Sequence, residues 1–124
     1  MDPDEVVGAK FRMYRVGSGY VRTDWLDDAE LTAEDAREVL ESFASFTTDG
    51  PTPLLVDGRT AHSATREARQ LLARTDLTSR AAMLVDSPLS RTLANFFLGV
   101  SGRSVPARIF TDLDDAQRWL LDDR

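Results

Sequence analysis

The first regular pattern in the chain is a period of two. From Lys10 to Val16 the apolar residues Phe11 and Met13 share one side of an extended strand, and Tyr14 and Val16 take the other. Gly17-Ser18-Gly19 follows, and Tyr20–Trp25 resumes the alternation, with Val21 and Thr23 opposing Tyr20, Arg22 and Asp24. Two β-rich runs joined by a short glycine-rich connection predict a hairpin. The acidic, unpatterned residues 1–9 are expected to be a loose lead-in to one domain over 10–124.

After the hairpin the period lengthens to 3.6. Ala36, Val39, Leu40, Phe43 and Ala44 form the stripe of an amphipathic helix. Thr32 stands at its N-cap, with Asp35 placed to complete a capping box and Leu31 to staple onto Ala36. The helix ends in Thr47-Thr48-Asp49-Gly50-Pro51, and Pro53–Asp57 reads as a short buried strand of a parallel sheet. Gly58–His62 is expected to be a loop. Ser63 is expected to cap a second helix with Ala64, Ala68, Leu71 and Leu72 inward and Arg66, Arg69 and Arg74 outward. Ala81–Asp86 is a further buried strand. Ser87-Pro88 opens a third helix with Leu89, Leu93, Phe96, Phe97 and Val100 on its stripe. Ala107–Phe110 is the last strand. A final helix, capped by Thr111 or Asp112, turns Leu113, Ala116 and Leu120 inward. The order is ββαβαβαβα. It predicts a single α/β sandwich with a mixed sheet of about five strands and four helices.

Composition narrows the function classes. The chain has 124 residues, enough for one real core. It carries 15 basic and 21 acidic groups; residues 1–62 have a net charge of −7 and residues 63–124 of +1. An acidic surface lacks the positive footprint that nucleic acid requires, so none is expected as partner. Lys10 is the single lysine; the other basic residues are arginines, read as coding bias. There is no cysteine, which removes disulfides, thiolate metal sites and thiol nucleophiles. No apolar run approaches the ~20 residues that span a bilayer, and the N-terminus lacks a signal-peptide core. The expected compartment is the cytoplasm, and no cofactor or metal is implied.

Two stretches carry a family resemblance. The strand Leu54-Leu55-Val56-Asp57 runs into a polar loop. The tail Ile109-Phe110-Thr111-Asp112-Leu113-Asp114-Asp115-Ala116-Gln117-Arg118-Trp119-Leu120 looks like the Phe-Thr-(acidic)-Ala-x-x-Trp-Leu close of a mainly actinobacterial branch. With the element order, they make the chain resemble the STAS superfamily of bacterial anti-sigma-factor antagonists, over about residues 10–122. The resemblance implies a STAS-like fold and a non-enzymatic regulatory or protein-binding module. It also implies a serine at a helix N-terminus that is phosphorylated to control partner binding. Asp57 matches the aspartate that ends the family's strand, and Ser63 is the nearest match to the serine. The family's Asp-Ser-x-Gly signature is replaced here by Gly58-Arg59-Thr60-Ala61-His62-Ser63.

The residues that could do chemistry follow from these placements. Asp57, Arg59, His62, Ser63, Thr65 and Arg66 form the expected phosphorylation or partner loop. Phosphate at a helix N-terminus would meet free N–H groups and a favourable dipole there. Asp57 and Asp86 both end strands, at the rim where open α/β sheets take ligands. Asp57, His62 and Ser63 contain the residue types of a hydrolytic triad. Adjacent residues on one loop diverge, however, which makes a small hydrolase the weakest reading. The alternative to partner binding is a small-molecule or lipid carrier with a pocket lined by Phe43, Phe96, Phe97 and Trp119. A homodimer is expected, because small sheet proteins hide an edge or an aromatic face in this way.

Overall fold

The computed structural model describes residues 4–17, 19–25, 29–59, 61–72, 78–88, 91–92 and 106–122. In chain order the elements are β1 (Glu5–Val7), β2 (Phe11–Val16), β3 (Tyr20–Trp25), β4 (Ala29–Leu31), α1 (Ala33–Ser45), β5 (Thr52–Asp57), β6 (Ala61–Ala64), α2 (Arg66–Leu72), β7 (Thr78–Leu84), β8 (Ala107–Phe110) and α3 (Leu113–Leu120). Six strands form a mixed sheet in the order β1-β2-β3-β5-β7-β8, and β4 pairs with β6 in a separate ribbon. The first three strands are antiparallel; β3, β5, β7 and β8 run parallel.

The predicted hairpin forms β2–β3, with Phe11 opposite Trp25 and Val16 opposite Tyr20. Gly17 turns it at φ 56°, a left-handed conformation that favours glycine. The alternation sorts the side chains onto two faces. On the first face Phe11, Met13, Val21 and Trp25 meet Leu31, the α1 stripe Ala36, Val39 and Phe43, and Ala68 of α2. On the second, Tyr20, Leu55 and Ala82 pack under Ala116 and Leu120 of α3.

The cap of α1 is the predicted one. The Asp35 N–H donates to Thr32 Oγ1 at 3.3 Å, and the Thr32 N–H donates to Asp35 Oδ2 at 2.8 Å. Thr32→Ala is expected to cost about 1 kcal/mol, read as a lowered urea midpoint at unchanged slope. A midpoint within error of the parent's would count against the capping box. Asp112 caps α3, accepting from the N–H groups of Asp114 and Asp115.

The architecture departs from the expectation in four places. The main sheet has six strands rather than about five, because Glu5–Val7, inside the segment read as a lead-in, pairs with β2. Three residues are too few to carry a periodicity, so register with a neighbour defines that strand. The segment read as a loop and a helix cap, residues 61–64, is strand β6, paired with the equally unforeseen β4. In consequence Thr65, not Ser63, caps α2: the Ala68 N–H donates to Thr65 Oγ1 at 3.1 Å. Three helices are complete among the described residues rather than four. Pro88, Arg91 and Thr92 are helical where Ser87-Pro88 was expected to open a helix, and the Arg91 N–H donates to the Ser87 carbonyl at 3.0 Å. The remainder of that stretch lies outside the described residues.

Candidate functional site

The carboxyl ends of β3 and β5 bring together groups far apart in sequence. Parallel pairing sets Asp24 directly opposite Asp57. Like charges at that spacing repel. Arg22, two residues before Asp24 on the same face, resolves the repulsion by bridging them. Its Nε donates to Asp24 Oδ1 at 2.7 Å and its Nη2 to Asp57 Oδ2 at 3.0 Å. Tyr14, the cross-strand partner of Arg22, donates its hydroxyl to Asp24 Oδ2 at 3.1 Å. The Arg12 guanidinium lies 4.3 Å from the centre of the Tyr14 ring and bonds Glu5. A ladder of alternating charge thus crosses the second face from β1 to β5.

Asp57, at its β5 end, is the most heavily bonded member. The Asp57 side chain is 11% exposed, and Arg59 closes over it from the turn beyond the strand. Asp57 Oδ1 accepts from the Arg59 N–H at 3.1 Å and from Arg59 Nε at 2.9 Å; Oδ2 accepts from Arg59 Nη2 at 2.7 Å and from Arg22 Nη2. A carboxylate offers about four lone-pair sites, and these four bonds use them. Burial is the largest influence on Asp57 and opposes its charge. The Arg59 donors, with the charges of Arg59 and Arg22, outweigh burial and hold the carboxyl below its ordinary value. For Arg22 burial is again the largest influence, and the bond to Asp24 and the neighbouring acids push it above the usual value. Burial first, then the charge of Asp24, raises the Tyr14 phenol. Every shift favours the paired form, so this is a fixed ion-pair lattice.

Gly58 makes the turn possible. Its N–H donates to the Leu84 carbonyl at 2.9 Å, and a Cβ there would sit 3.3 Å from that oxygen. The close approach also brings Asp86, exposed just after β7, near enough for its charge to act on Arg59.

The predicted residues are distributed as follows. Asp57, Arg59 and Asp86 meet at the rim. His62 and Ser63 lie on β6, where Ser63 pairs in register with Glu30. Thr65 caps α2, and Arg66 is its exposed first residue. Phe43 belongs to the first-face core and Trp119 packs on the second, so the two cannot line one pocket. Phe96 and Phe97 lie outside the described residues. Sequence reasoning missed Tyr14, Arg22 and Asp24 as site residues. The alternation places Arg22 and Asp24 on one face; the missing fact was that β5 is the parallel neighbour of β3. Among the described residues no three His, Cys, Asp or Glu side chains gather as metal ligands, and no helix is long and apolar enough to cross a membrane.

Residues 14–122 match a domain of unknown function, DUF7793. The chain belongs to this family. Its match runs from Tyr14, within the ladder, through α3. Known structures place the DUF7793 chain in a fold class. It is similar to a DUF3478-family protein with a SpoIIAA-like fold from Shewanella loihica PV-4, with TM-score 0.64 and 18% identity, covering 89% of this chain and 91% of that one. It is similar also to an anti-sigma factor antagonist from Mycobacterium paratuberculosis, with TM-score 0.63 and 16% identity, covering 90% and 93%. A protein with unknown function from Arthrobacter sp. FB24 is 34% identical, over 87% of this chain and 96% of that one, at TM-score 0.35. The search of curated proteins finds no match. The DUF7793 chain therefore has a SpoIIAA-like, STAS-type fold, as the tail and strand motifs implied.

Proposed function

We propose that this protein is a non-enzymatic regulatory module of the cytoplasm, working as a homodimer, that binds a protein partner through the rim at Asp57 and Arg59 and the segment from His62 to Arg66 that follows it. The observation that carries this reading is the saturation of Asp57. A carboxylate holding four hydrogen bonds from two arginines is poorly placed to take a proton, and is well suited to fixing a guanidinium at a surface. The Arg59 side chain is 40% exposed while two of its guanidinium nitrogens are tied to Asp57, so it meets a partner already ordered. The fold shared with an anti-sigma factor antagonist supports a protein partner over a small substrate. A phosphate on Ser63 or Thr65 would add negative charge within three residues of Arg66 in the chain and so alter the charge a partner meets there.

Capture from a lysate of the source organism tests this. The immobilised chain is expected to retain a discrete protein. Arg59→Glu should lose it, Ser63→Asp should change its yield several-fold, and Arg118→Glu on the exposed side of α3 should leave it unchanged. Equal retention by all four proteins would remove the rim as the binding surface.

A further inference from the structure

The β4–β6 ribbon stands apart from the main sheet. It pairs at three register positions, Ala29↔Ala61, Glu30↔Ser63 and Leu31↔Ala64, with an irregularity after the first. Two strands alone are marginal in water, so contacts outside the ladder must hold the ribbon down. Leu31 supplies one: it is 3% exposed and packs in the first-face core. The Thr65 N–H supplies another, donating to the Leu31 carbonyl at 2.9 Å where the ribbon passes into α2.

The third contact is Lys10. Its Nζ donates to the Glu30 carbonyl at 2.7 Å and to Asp35 Oδ2 at 2.9 Å. Asp35 is also the acid of the α1 capping box. One ammonium therefore joins the start of β2, the middle of β4 and the first turn of α1. It stands at the single position among 15 basic residues where the chain uses lysine. The chemistry suits the place. A compact ammonium with three rotatable donors can sit between a carbonyl and a carboxylate, whereas a planar guanidinium presents a fixed fork.

We propose that Lys10 is a charge-dependent latch on the β4–β6 ribbon, and that losing it lets the segment carrying His62 and Ser63 open while the six-stranded sheet stays folded. Local opening of this kind is drawn from elements with short ladders, and the ribbon pairs at only three register positions. Latched, Ser63 is held in register with Glu30. Released, the same backbone is extended and unpaired, the form in which a partner could grip it. This deepens the rim reading and rests on it only for the identity of what binds.

Hydrogen–deuterium exchange on the full chain, with no partner present, tests the latch separately from that reading. Lys10→Gln is expected to speed exchange at residues 29–31 and 61–65 at least tenfold and to leave β7 and β8 unchanged. Lys10→Arg, which keeps the charge, should give a smaller increase. Should Lys10→Gln not fold, the parent chain gives the same information. Raising sodium chloride from 0.05 to 1 M should accelerate the ribbon selectively, because the Lys10–Asp35 pair is partly exposed to screening. Ribbon exchange unchanged in Lys10→Gln and in high salt, or a uniform change across the molecule, overturns the latch.

Discussion

Phe11→Ala is expected to lower the unfolding free energy by about 3–5 kcal/mol, a large part of the 5–15 kcal/mol that holds a typical domain together. Phe11 is 1% exposed and is among the largest fully buried side chains. Its ring meets Trp25 edge-on with centroids 6.1 Å apart. From β2 it reaches into the core shared with α1 and α2, so truncation opens a cavity walled by separate elements. Gly8 closes the remaining side: a Cβ there would lie 2.2 Å from the Phe11 ring, so the chain already runs hard against it. With regular structure on several sides, the site cannot collapse cheaply, which places the cost in the upper range. Thermal unfolding should begin more than about 10 °C lower. Val7→Ala, at an exposed position, should change stability by less than about 0.5 kcal/mol. A loss below about 1 kcal/mol at Phe11 would mean that the first-face core is not packed as described.

The contrast between Phe11 and Glu5 separates what a sequence carries locally from what only a neighbour supplies. Phe11, Met13, Val21 and the α1 stripe announce their partners by period alone, because a buried face forces the pattern. So do Thr32 with Asp35, and Asp112 with Asp114 and Asp115, because caps are local chemistry. β1, β4 and β6 have three or four residues each, and each exists because a neighbour supplies a ladder. That information is not in the segment itself. Ser63 misleads for the same reason: a serine just before a helical stripe looks like a cap, but pairing with β4 extends residues 61–64 and moves the cap to Thr65. The site is half legible. Asp57 and Arg59 are close in sequence and fall within the expected loop. Tyr14, Arg22 and Asp24 join them only through the parallel register of β3 against β5, a contact across more than thirty residues.

Asp57→Asn should be the most damaging polar substitution, costing about 3 kcal/mol of stability and abolishing partner capture together. Asparagine keeps the shape and removes the charge. Arg22, only 16% exposed, then faces an amide in place of its second anion, and part of the bidentate grip on Arg59 is replaced by an opposed N–H pair. The figure sits at the low end for a broken buried pair because Arg59, at 40% exposure, can turn to water. A double-mutant cycle with Arg22→Met isolates the bridge, with an expected coupling of about 1–3 kcal/mol. The pH dependence has a definite sign. The Asp57 carboxyl is held below its ordinary value in the fold, so its contribution is complete above that ordinary value and is lost as pH falls through the lowered one. The parent chain should therefore lose stability on acidification within that window, and Asp57→Asn should lose less there. Function separates two ways of failing. If the lattice only supports the fold, a stabilising condition that restores folding of Asp57→Asn restores capture. If it orders Arg59 for a partner, the refolded variant still fails to bind. Capture restored along with folding would leave Asp57 a structural residue and take the rim out of the function.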